Sequence, residues 1–392
     1  MGAKTFCLCL PQIIFPMQDI SDFLIPVDMH SLNEDAGYND GQLAKHIATY
    51  EQELPDLNAA DIVLLGVGEY RGNGKFNLGI ENANIIRKHL YQLHYWHNEI
   101  KIADIGNVKT GATIGDSYAA LKTVLMDLFR LGKTVVILGG SHDLTLAQYF
   151  AYRDLGKHIE ATCIDATIDL RGESSLRSEN FLLEMLTGEP NFVKHYNHIG
   201  FQSYFVHPRM IETMDRLRFD CYRVGKAKEN IEEMEPVIRN ANMVSFDINA
   251  IKYSDAPSVT CSPNGFTGEE ACVLAQYTGL SSQVNSFGIY GYESTTDAHE
   301  LTAKQIAQML WYFIDGKNRC KHESSFEHRN NFYEFITAFA EVETLFLQSR
   351  KTGRWWMQLP DNKMIACSKE DYIMASRNEI PERWLRALER AV

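Results

Sequence analysis

The sequence predicts a three-layer α/β/α fold with a mainly parallel sheet, and three observations support this prediction. Apolar runs of strand length alternate with segments of helical periodicity between about residues 57 and 315. Such alternation is typical of a parallel sheet that is covered by helices on both faces. Three of the apolar runs, which start at Thr134, Ile159 and Met243, lead directly into acidic residues or a histidine. Open α/β sheets bind their ligands at this edge, so we expect one site there.

The predicted elements follow one another along the core. Residues 61–68 form an apolar run that ends in a glycine turn, and residues 116–131 carry apolar side chains at helical spacing. Thr267 with acidic residues in the next turn marks a helix start. The remaining predicted strands are 135–138, 159–164, 195–201, 243–247 and 285–292, and the remaining predicted helices are 83–97, one from about 144, one opened by Pro208, and 301–313.

The chain divides into two predicted parts. Residues 1–317 form the α/β domain, in which residues 1–56, interrupted by prolines, are a lead-in that packs on the core. Residues 318–392 form an appendage that begins with a polar linker. Alternating apolar patterns over residues 332–339, 344–347 and 355–359 predict antiparallel strands, with a turn at 351–354 and a closing helix after Pro381.

Composition excludes several classes of function. A net charge of -13 disfavours a nucleic-acid surface, which needs clustered Lys and Arg. No apolar run approaches the roughly 20 residues needed to span a bilayer, and the opening residues lack the features of a signal peptide. The eight cysteines are scattered, and Cys7 and Cys9 form only a C-x-C pair. We therefore expect a cytoplasmic protein with reduced thiols, without nucleic-acid or membrane partners.

A cluster of polar residues follows the strand at 159–164. Asp165, Thr167 and Asp169 stand at every second position, so their side chains leave an extended chain on one face. Two carboxylates aimed at one point repel each other unless a cation or a proton lies between them. His142 and Asp247 follow the neighbouring apolar runs. Each of these residues alone would also fit a loop hydrogen bond or a helix cap, but together they predict a metal site.

Three motifs resemble those of the arginase, agmatinase and formimidoylglutamase family. They are Gly139-Gly140-Ser141-His142, Asp165-Ala166-Thr167-Ile168-Asp169 and Ser245-Phe246-Asp247-Ile248-Asn249, similar to the family patterns G-G-x-H, D-x-H-x-D and S-x-D-x-D. The segments 66–73 and 263–267 look most like the formimidoylglutamase branch. The resemblance covers about residues 57–315 and implies an arginase-like fold with a binuclear manganese site.

The departures from the family patterns concern the second ion. The resemblance implies that His142, Asp165, Asp169 and Asp247 hold one ion, and that set is complete. The second ion would share Asp165 and Asp247 but would need a His and an Asp where this chain has Thr167 and Asn249. A neutral hydroxyl and a neutral amide are poorer metal ligands than an imidazole and a carboxylate. We therefore expect one divalent cation, Mn2+, and a second site that is weak or empty.

Two hypotheses about function follow. The first is a metal-dependent hydrolase of the C–N bond of a linear amidine, acting on an amidine or amino-acid-like small molecule. The catalytic residue is unknown. Gly291 stands at the position of the family's substrate-binding acid, and Glu293, two residues further on, is the candidate substitute. The second hypothesis is a catalytically silent family member retained for binding or assembly. The resemblance implies a homo-oligomer in either case.

Overall fold

The computed structural model describes residues 20–33, 37–76, 78–259 and 261–391. The Cys7–Cys9 pair and the opening residues, on which the expectation about a signal peptide rests, lie outside the described residues. No helix in the described part of the chain is long and apolar enough to cross a bilayer.

A ten-stranded sheet forms the centre of the described molecule, in the order β1-β4-β3-β5-β10-β9-β6-β7-β8, with β2 also paired to β4. The first strand is antiparallel to its neighbour, whereas all other pairs in this sheet are parallel. The strands are β1 (Leu24–Ile25), β2 (Ile47–Thr49), β3 (Ile62–Val67), β4 (Ile102–Val108), β5 (Thr134–Leu138), β6 (Ile159–Ile164), β7 (Val193–Phe201), β8 (Asp220–Arg223), β9 (Met243–Asp247) and β10 (Ser286–Tyr290).

Helices cover both faces of this sheet, each over its own apolar cluster. One cluster includes residues of α2, α8, α9 and α10, and the other includes residues of α3, α4 and α5. The three-layer prediction is therefore confirmed. The helices are α1 (Met29–Leu32), α2 (Glu81–Gln92), α3 (Ile114–Arg130), α4 (Thr145–Asp154), α5 (Phe181–Thr187), α6 (Pro208–Arg216), α7 (Val224–Glu229), α8 (Met234–Arg239), α9 (Gly268–Leu280), α10 (Leu301–Lys321), α11 (Lys369–Ser376) and α12 (Glu382–Ala391).

Strand β4 is a feature that the apolar pattern did not predict. Its seven residues are all buried, yet they include Asp104, Gly106 and Asn107, which are residue types depleted in strands. The acid is tolerated because the buried Arg87 of α2 donates from Nε to Asp104 Oδ2 at 2.7 Å and from Nη1 to Asn107 Oδ1 at 2.7 Å. In β4 a buried ion pair, whose donors have hydrogen-bond acceptors, thus stands where a strand is expected to have an apolar pattern.

A separate antiparallel sheet follows α10, which continues past residue 317 to Lys321. Its strands are β11 (Phe332–Phe339), β12 (Val342–Ser349), β13 (Trp355–Gln358) and β14 (Met364–Cys367), paired in that order. The antiparallel appendage is confirmed, but β14 and α11 were not predicted. Both are short, and α11 has almost no amphipathic pattern although a Ser368–Asp371 capping box opens it.

Arginines attach the second sheet to the first domain. Arg239 Nη1 donates to Trp355 O at 2.5 Å, and Arg354 Nη1 donates to Leu280 O at 2.8 Å. From α12, Arg386 and Arg390 both pair with Asp220 at the start of β8, at 2.8 and 3.1 Å. The arginines that join the two sheets therefore bind backbone carbonyls and one buried acid.

Candidate metal centre

The predicted ligands lie at the carboxyl edge of the sheet, where four neighbouring strands end at one level and three of them lead into the ligand loops. Leu138 of β5 pairs with Ile289 of β10, which also pairs with Phe246 of β9, and Phe246 pairs with Ile164 of β6. The loops after β5, β6 and β9 therefore leave the sheet side by side. This is the edge at which parallel sheets bind ligands.

The loop after β5 turns sharply through two glycines. Gly139 and Gly140 have φ values of +88° and +83°, a region that side-chain-bearing residues rarely adopt. A Cβ on Gly140 would meet Leu144 Cδ1 at 2.1 Å. The turn brings His142 directly back over the sheet edge, where its side chain is buried.

Around His142 Nδ1 lie three carboxylates. The distances are 3.5 Å to Asp165 Oδ2, 3.1 Å to Asp169 Oδ2 and 3.6 Å to Asp247 Oδ2. His142, Asp165 and Asp169 each offer a ligand atom within 4.8 Å of the others, and no second group of this kind occurs among the described residues. Three of the four residues predicted to hold one ion therefore form a compact group, and Asp247 approaches it through His142 Nδ1.

The imidazole orientation fits a cation at that point. Nδ1 is buried and has no hydrogen-bond partner among the described residues, although the carboxylate oxygens lie at ion-pair distance. Buried polar atoms are normally paired, so an atom in this position needs another partner. The donor set of one imidazole nitrogen and carboxylate oxygens suits a divalent ion such as Mn2+.

The other ring nitrogen of His142 is held by two residues that the sequence analysis gave no role. Nε2 lies 3.2 Å from Ser245 Oγ and 3.6 Å from Cys163 Sγ. A ligating histidine is usually oriented by a hydrogen bond at its second nitrogen. Ser245 stands two residues before Asp247 and Cys163 two before Asp165, so strand alternation already placed each on the side of a predicted ligand.

Thr167 occupies the position where the family has the second-ion histidine, and it is engaged with the acids. Its hydroxyl lies 3.0 Å from Asp165 Oδ2 and 3.1 Å from Asp169 Oδ1. The single hydroxyl proton can be shared between these two carboxylates. At Asn249 the backbone N–H donates to Asp247 Oδ1 at 2.8 Å. Both residues therefore contact the acids with neutral groups.

Mutual repulsion and burial shift the proton equilibria of the cluster. Burial, together with the neighbouring Asp165, raises the pKa of Asp247 to about 8 and raises the pKa of Asp169. Burial alone would lower the pKa of His142, but Cys163, Asp165 and Asp169 outweigh it and hold that pKa well above its usual value. Without a metal ion, protons supply the missing positive charge.

Glu293 lies after β10 and forms an ion pair with Lys75. Gly291, at the position of the family's substrate-binding acid, faces Asp247 instead. A Cβ there would meet Asp247 Oδ1 at 2.8 Å, and the φ of +84° also disfavours other residues. The structure therefore brings together His142, Asp165, Asp169 and Asp247, with Thr167 between two of them, while Glu293 has a cationic partner of its own.

The fold and the site define a three-layer α/β protein with an acidic, cation-type centre at its sheet edge. A model of the arginase family matches residues 60–315, so the chain belongs to the arginase family. None of the curated proteins matches the chain.

Solved structures give the same fold. A formiminoglutamase of Trypanosoma cruzi solved with Mn2+ is 17% identical, with a TM-score of 0.64 over 71% of this chain and 99% of that one. Formimidoylglutamase of Bacillus subtilis is 17% identical, with a TM-score of 0.64 over 73% and 95%. The agmatine ureohydrolase of Thermoplasma volcanium is 20% identical, with a TM-score of 0.56 over 74% and 97%. At these identities the likeness concerns the fold alone.

Proposed function

We propose that this arginase-family protein is a metal-dependent hydrolase of a linear amidine C–N bond, related to formimidoylglutamase and working with one main ion. The observation that carries the proposal is the convergence of His142 Nδ1 with the carboxylates of Asp165, Asp169 and Asp247 within 3.1–3.6 Å. The imidazole atom at the centre has no hydrogen-bond partner among the described residues.

Charge supports one ion rather than two. Three carboxylates around a divalent cation give strong attraction in a buried site, where screening is weak. A second divalent ion would face the repulsion of the first with Thr167 and Asn249 as its additional neighbours, and neither side chain carries a charge. We therefore expect the second position to be weak or empty, with Thr167 tying Asp165 to Asp169 through its hydroxyl.

The protein groups have separate tasks in this proposal. His142, Asp165, Asp169 and Asp247 hold the ion, and Ser245 orients the imidazole through Nε2. A divalent ion, when bound, acidifies a water and polarises the C–N bond that is to be cleaved. With a single ion that effect is weaker than in a two-metal site, so we expect slow turnover.

Metal analysis followed by turnover tests this proposal. The protein is loaded with Mn2+, dialysed and analysed for metal content, and then supplied with formimidoylglutamate, agmatine and arginine. We expect one ion per chain and slow release of formamide from the first substrate. Asp169→Asn, which removes a ligand, serves as the inactive control. Two ions per chain would contradict the proposal of one main ion. Full metal loading without turnover of any amidine would contradict the proposal that the protein is an enzyme.

A specific observation favours a second candidate, the catalytically silent member retained for binding or assembly. The Thr167 hydroxyl contacts two of the acids with a neutral group, and the nearby Glu293 is paired with Lys75. In such an arrangement the acids have hydrogen-bonding or ionic partners even if the protein catalyses no reaction. It predicts no turnover with or without manganese, and the substrate assay above separates it from the enzyme.

The other expectations stay predictions. They are an amidine or amino-acid-like ligand, a cytoplasmic location, the division into residues 1–317 and 318–392, and a homo-oligomer. The absence of nucleic-acid partners also stays a prediction, for which the net charge of -13 is the argument.

A further inference from the structure

The outer strand of the second sheet has an edge to which no described residue is paired. β11 pairs with β12 on one side and is the terminal strand of the four. Its residues Phe332–Phe339 pair with Ser349–Val342 in unbroken register, without a bulge. Natural monomers protect such edges with lysines, prolines, bulges or short strands. This eight-residue strand contains one charged residue, Glu334, and none of those devices.

The hairpin turn decides which backbone groups face outward. Ala340 and Glu341 both have positive φ, 49° and 62°, as in a two-residue type I′ turn. The residues that flank such a turn, Phe339 and Val342, form a hydrogen-bonded pair, and these pairs then recur at every second residue. The donation from Arg350 N to Asn331 O at 2.9 Å continues the same odd-numbered series.

The even-numbered residues therefore present their N–H and C=O groups to the open side. These are Glu334, Ile336 and Ala338, since the carbonyl of Phe332 already accepts from Arg350 Nε at 3.3 Å. Ile336 is 72% exposed at the centre of this row. An exposed branched apolar side chain between backbone groups that no described residue pairs with is the pattern of a strand that pairs with another strand.

We propose that β11 pairs antiparallel with β11 of a second copy of this chain, about a two-fold axis at Ile336. In this register Ile336 faces Ile336 of the second copy, and Glu334 faces Ala338 of the second copy in both directions. Each of the three pairs exchanges two backbone hydrogen bonds. The two four-stranded sheets become one continuous sheet across the axis.

Side-chain chemistry favours a second copy as the occupant of this edge. No acid meets an acid in this register, because Glu334 lies opposite Ala338. Glu341 falls opposite Asn331 of the second copy, whose neighbourhood includes Arg329 and Arg350, and the two-fold axis repeats this contact at both ends. Ile336 also continues the side-chain row of its β12 partner Leu345 across the axis.

The other face of β11 does not compete for this contact. Phe335 packs on Tyr372 of α11 with ring centroids 5.1 Å apart, and the Thr337 hydroxyl donates to Ala375 O at 3.4 Å. The helix therefore covers the side chains of Phe335 and Thr337, while no described residue covers the strand edge. β11 also lies beyond the family match, which ends at residue 315, so the interface belongs to the added sheet.

Sedimentation over a range of protein concentrations tests the dimer. We expect the wild-type chain of 44.7 kDa to approach twice that mass, and Ile336→Lys to weaken dimerisation at least about tenfold. Leu385→Lys is the matched control, because Leu385 is an exposed leucine on α12, 44% exposed. It should dimerise as the wild type does. Circular dichroism confirms that each variant is folded.

Two results would overturn the proposal. One is a wild-type chain that stays monomeric at every concentration, which would leave the edge to an extended segment of another protein. The other is a dimer that Ile336→Lys leaves intact, which would move the interface elsewhere. Asp165→Asn should dimerise normally, so a failure of the metal-site proposal remains separate from a failure here.

Cross-linking tests the register. Paired residues of this type have Cα atoms about 5.5 Å apart, within the range of a disulfide. Under mild oxidation Ile336→Cys should form a covalent dimer, and so should the double variant Glu334→Cys with Ala338→Cys. Ala338→Cys alone should give only the wild-type background of the native cysteines. A covalent dimer of Ala338→Cys alone, or none from Ile336→Cys, contradicts the proposed axis.

Discussion

The two halves of the candidate metal centre are built by the same loops but differ in charge. The half that His142 and Asp169 complete has four charged or imidazole side chains around one point. The half that Thr167 and Asn249 complete adds only a hydroxyl and an amide to the shared acids. The same arginase-family backbone carries both halves, so the difference between them lies in the side chains of Thr167 and Asn249.

In the proposed one-ion site, the fold has outlasted one of the two metal positions. The strand ends place positions 165, 167 and 169 together whatever residues stand there, because alternation and sheet register are backbone properties. The ion requires particular charges at those positions. At position 167 the threonine hydroxyl bonds to both acids, and in our proposal it gives a second ion no imidazole ligand.

The largest expected effect comes from removing the acid that both halves share. Asp165→Asn should weaken binding of Mn2+ by more than about 100-fold, because changes to groups that merely orient ligands already cost about 10–100-fold. Isothermal titration calorimetry measures the loss. Asp215→Asn, an exposed change on α6, should bind as the wild type does. Unchanged affinity in Asp165→Asn would remove Asp165 from the ligand set.

Restoring the missing groups should erase the difference between the halves. The double variant Thr167→His with Asn249→Asp supplies an imidazole and a carboxylate, and we expect the content of bound Mn2+ to rise from one to two per chain. Metal analysis after dialysis gives the count, and electron paramagnetic resonance detects coupling between neighbouring ions. Thr213→His, a change at an exposed threonine of α6, is the control. A double variant that still binds one ion would show that backbone geometry also prevents metal binding at the second position.

The pH dependence should sharpen the account of the intact half. Burial and Asp165 raise the pKa of Asp247 to about 8, whereas an unfolded aspartate titrates near about 3.9. The bound proton therefore stabilises the ion-free fold fully at low pH, and this contribution is lost as the pH rises through about 8. The metal must displace that proton.

Affinity for Mn2+ should therefore increase below about pH 8 by about tenfold per pH unit for each proton displaced, because His142 and Asp169, whose pKa values are also raised, must lose their protons as well as Asp247. The shift in Tm produced by Mn2+, relative to a chelator, should grow over the same range. Asp165→Asn should show no such growth. A metal-induced shift that stays constant with pH would mean that no proton is displaced.

The smallest effect is expected at Glu293. Its partner Lys75 has a side chain that is 41% exposed, and pairs of this kind stabilise a fold by less than about 1 kcal/mol. Glu293→Gln should therefore leave metal content unchanged and lower stability only slightly, as measured by chemical denaturation. Glu300→Gln, which breaks the pairs of a more exposed acid with Lys88 and His89, is the control. A raised KM for an amidine with unchanged metal content would instead support the substrate role of Glu293.

Much of the sheet and of the site could be predicted from local patterns. The apolar runs that became β3, β5, β6, β9 and β10 are clear because both faces of a parallel strand are buried. The approach of Asp165 to Asp169 followed from alternation alone. β4 was missed because its acid is satisfied by Arg87 from a helix, and no local pattern records a partner 17 residues away.

By itself, the sequence determined the order of the core elements other than β4, the family, and the residues that end three strands, since periodicity and residue type act locally. Only the tertiary structure decided that these ends lie within a few ångströms of His142 Nδ1, that Ser245 and Cys163 hold the other side of that ring, and that Glu293 pairs with Lys75. Those contacts join residues far apart in the chain, and sheet register and loop packing bring them together.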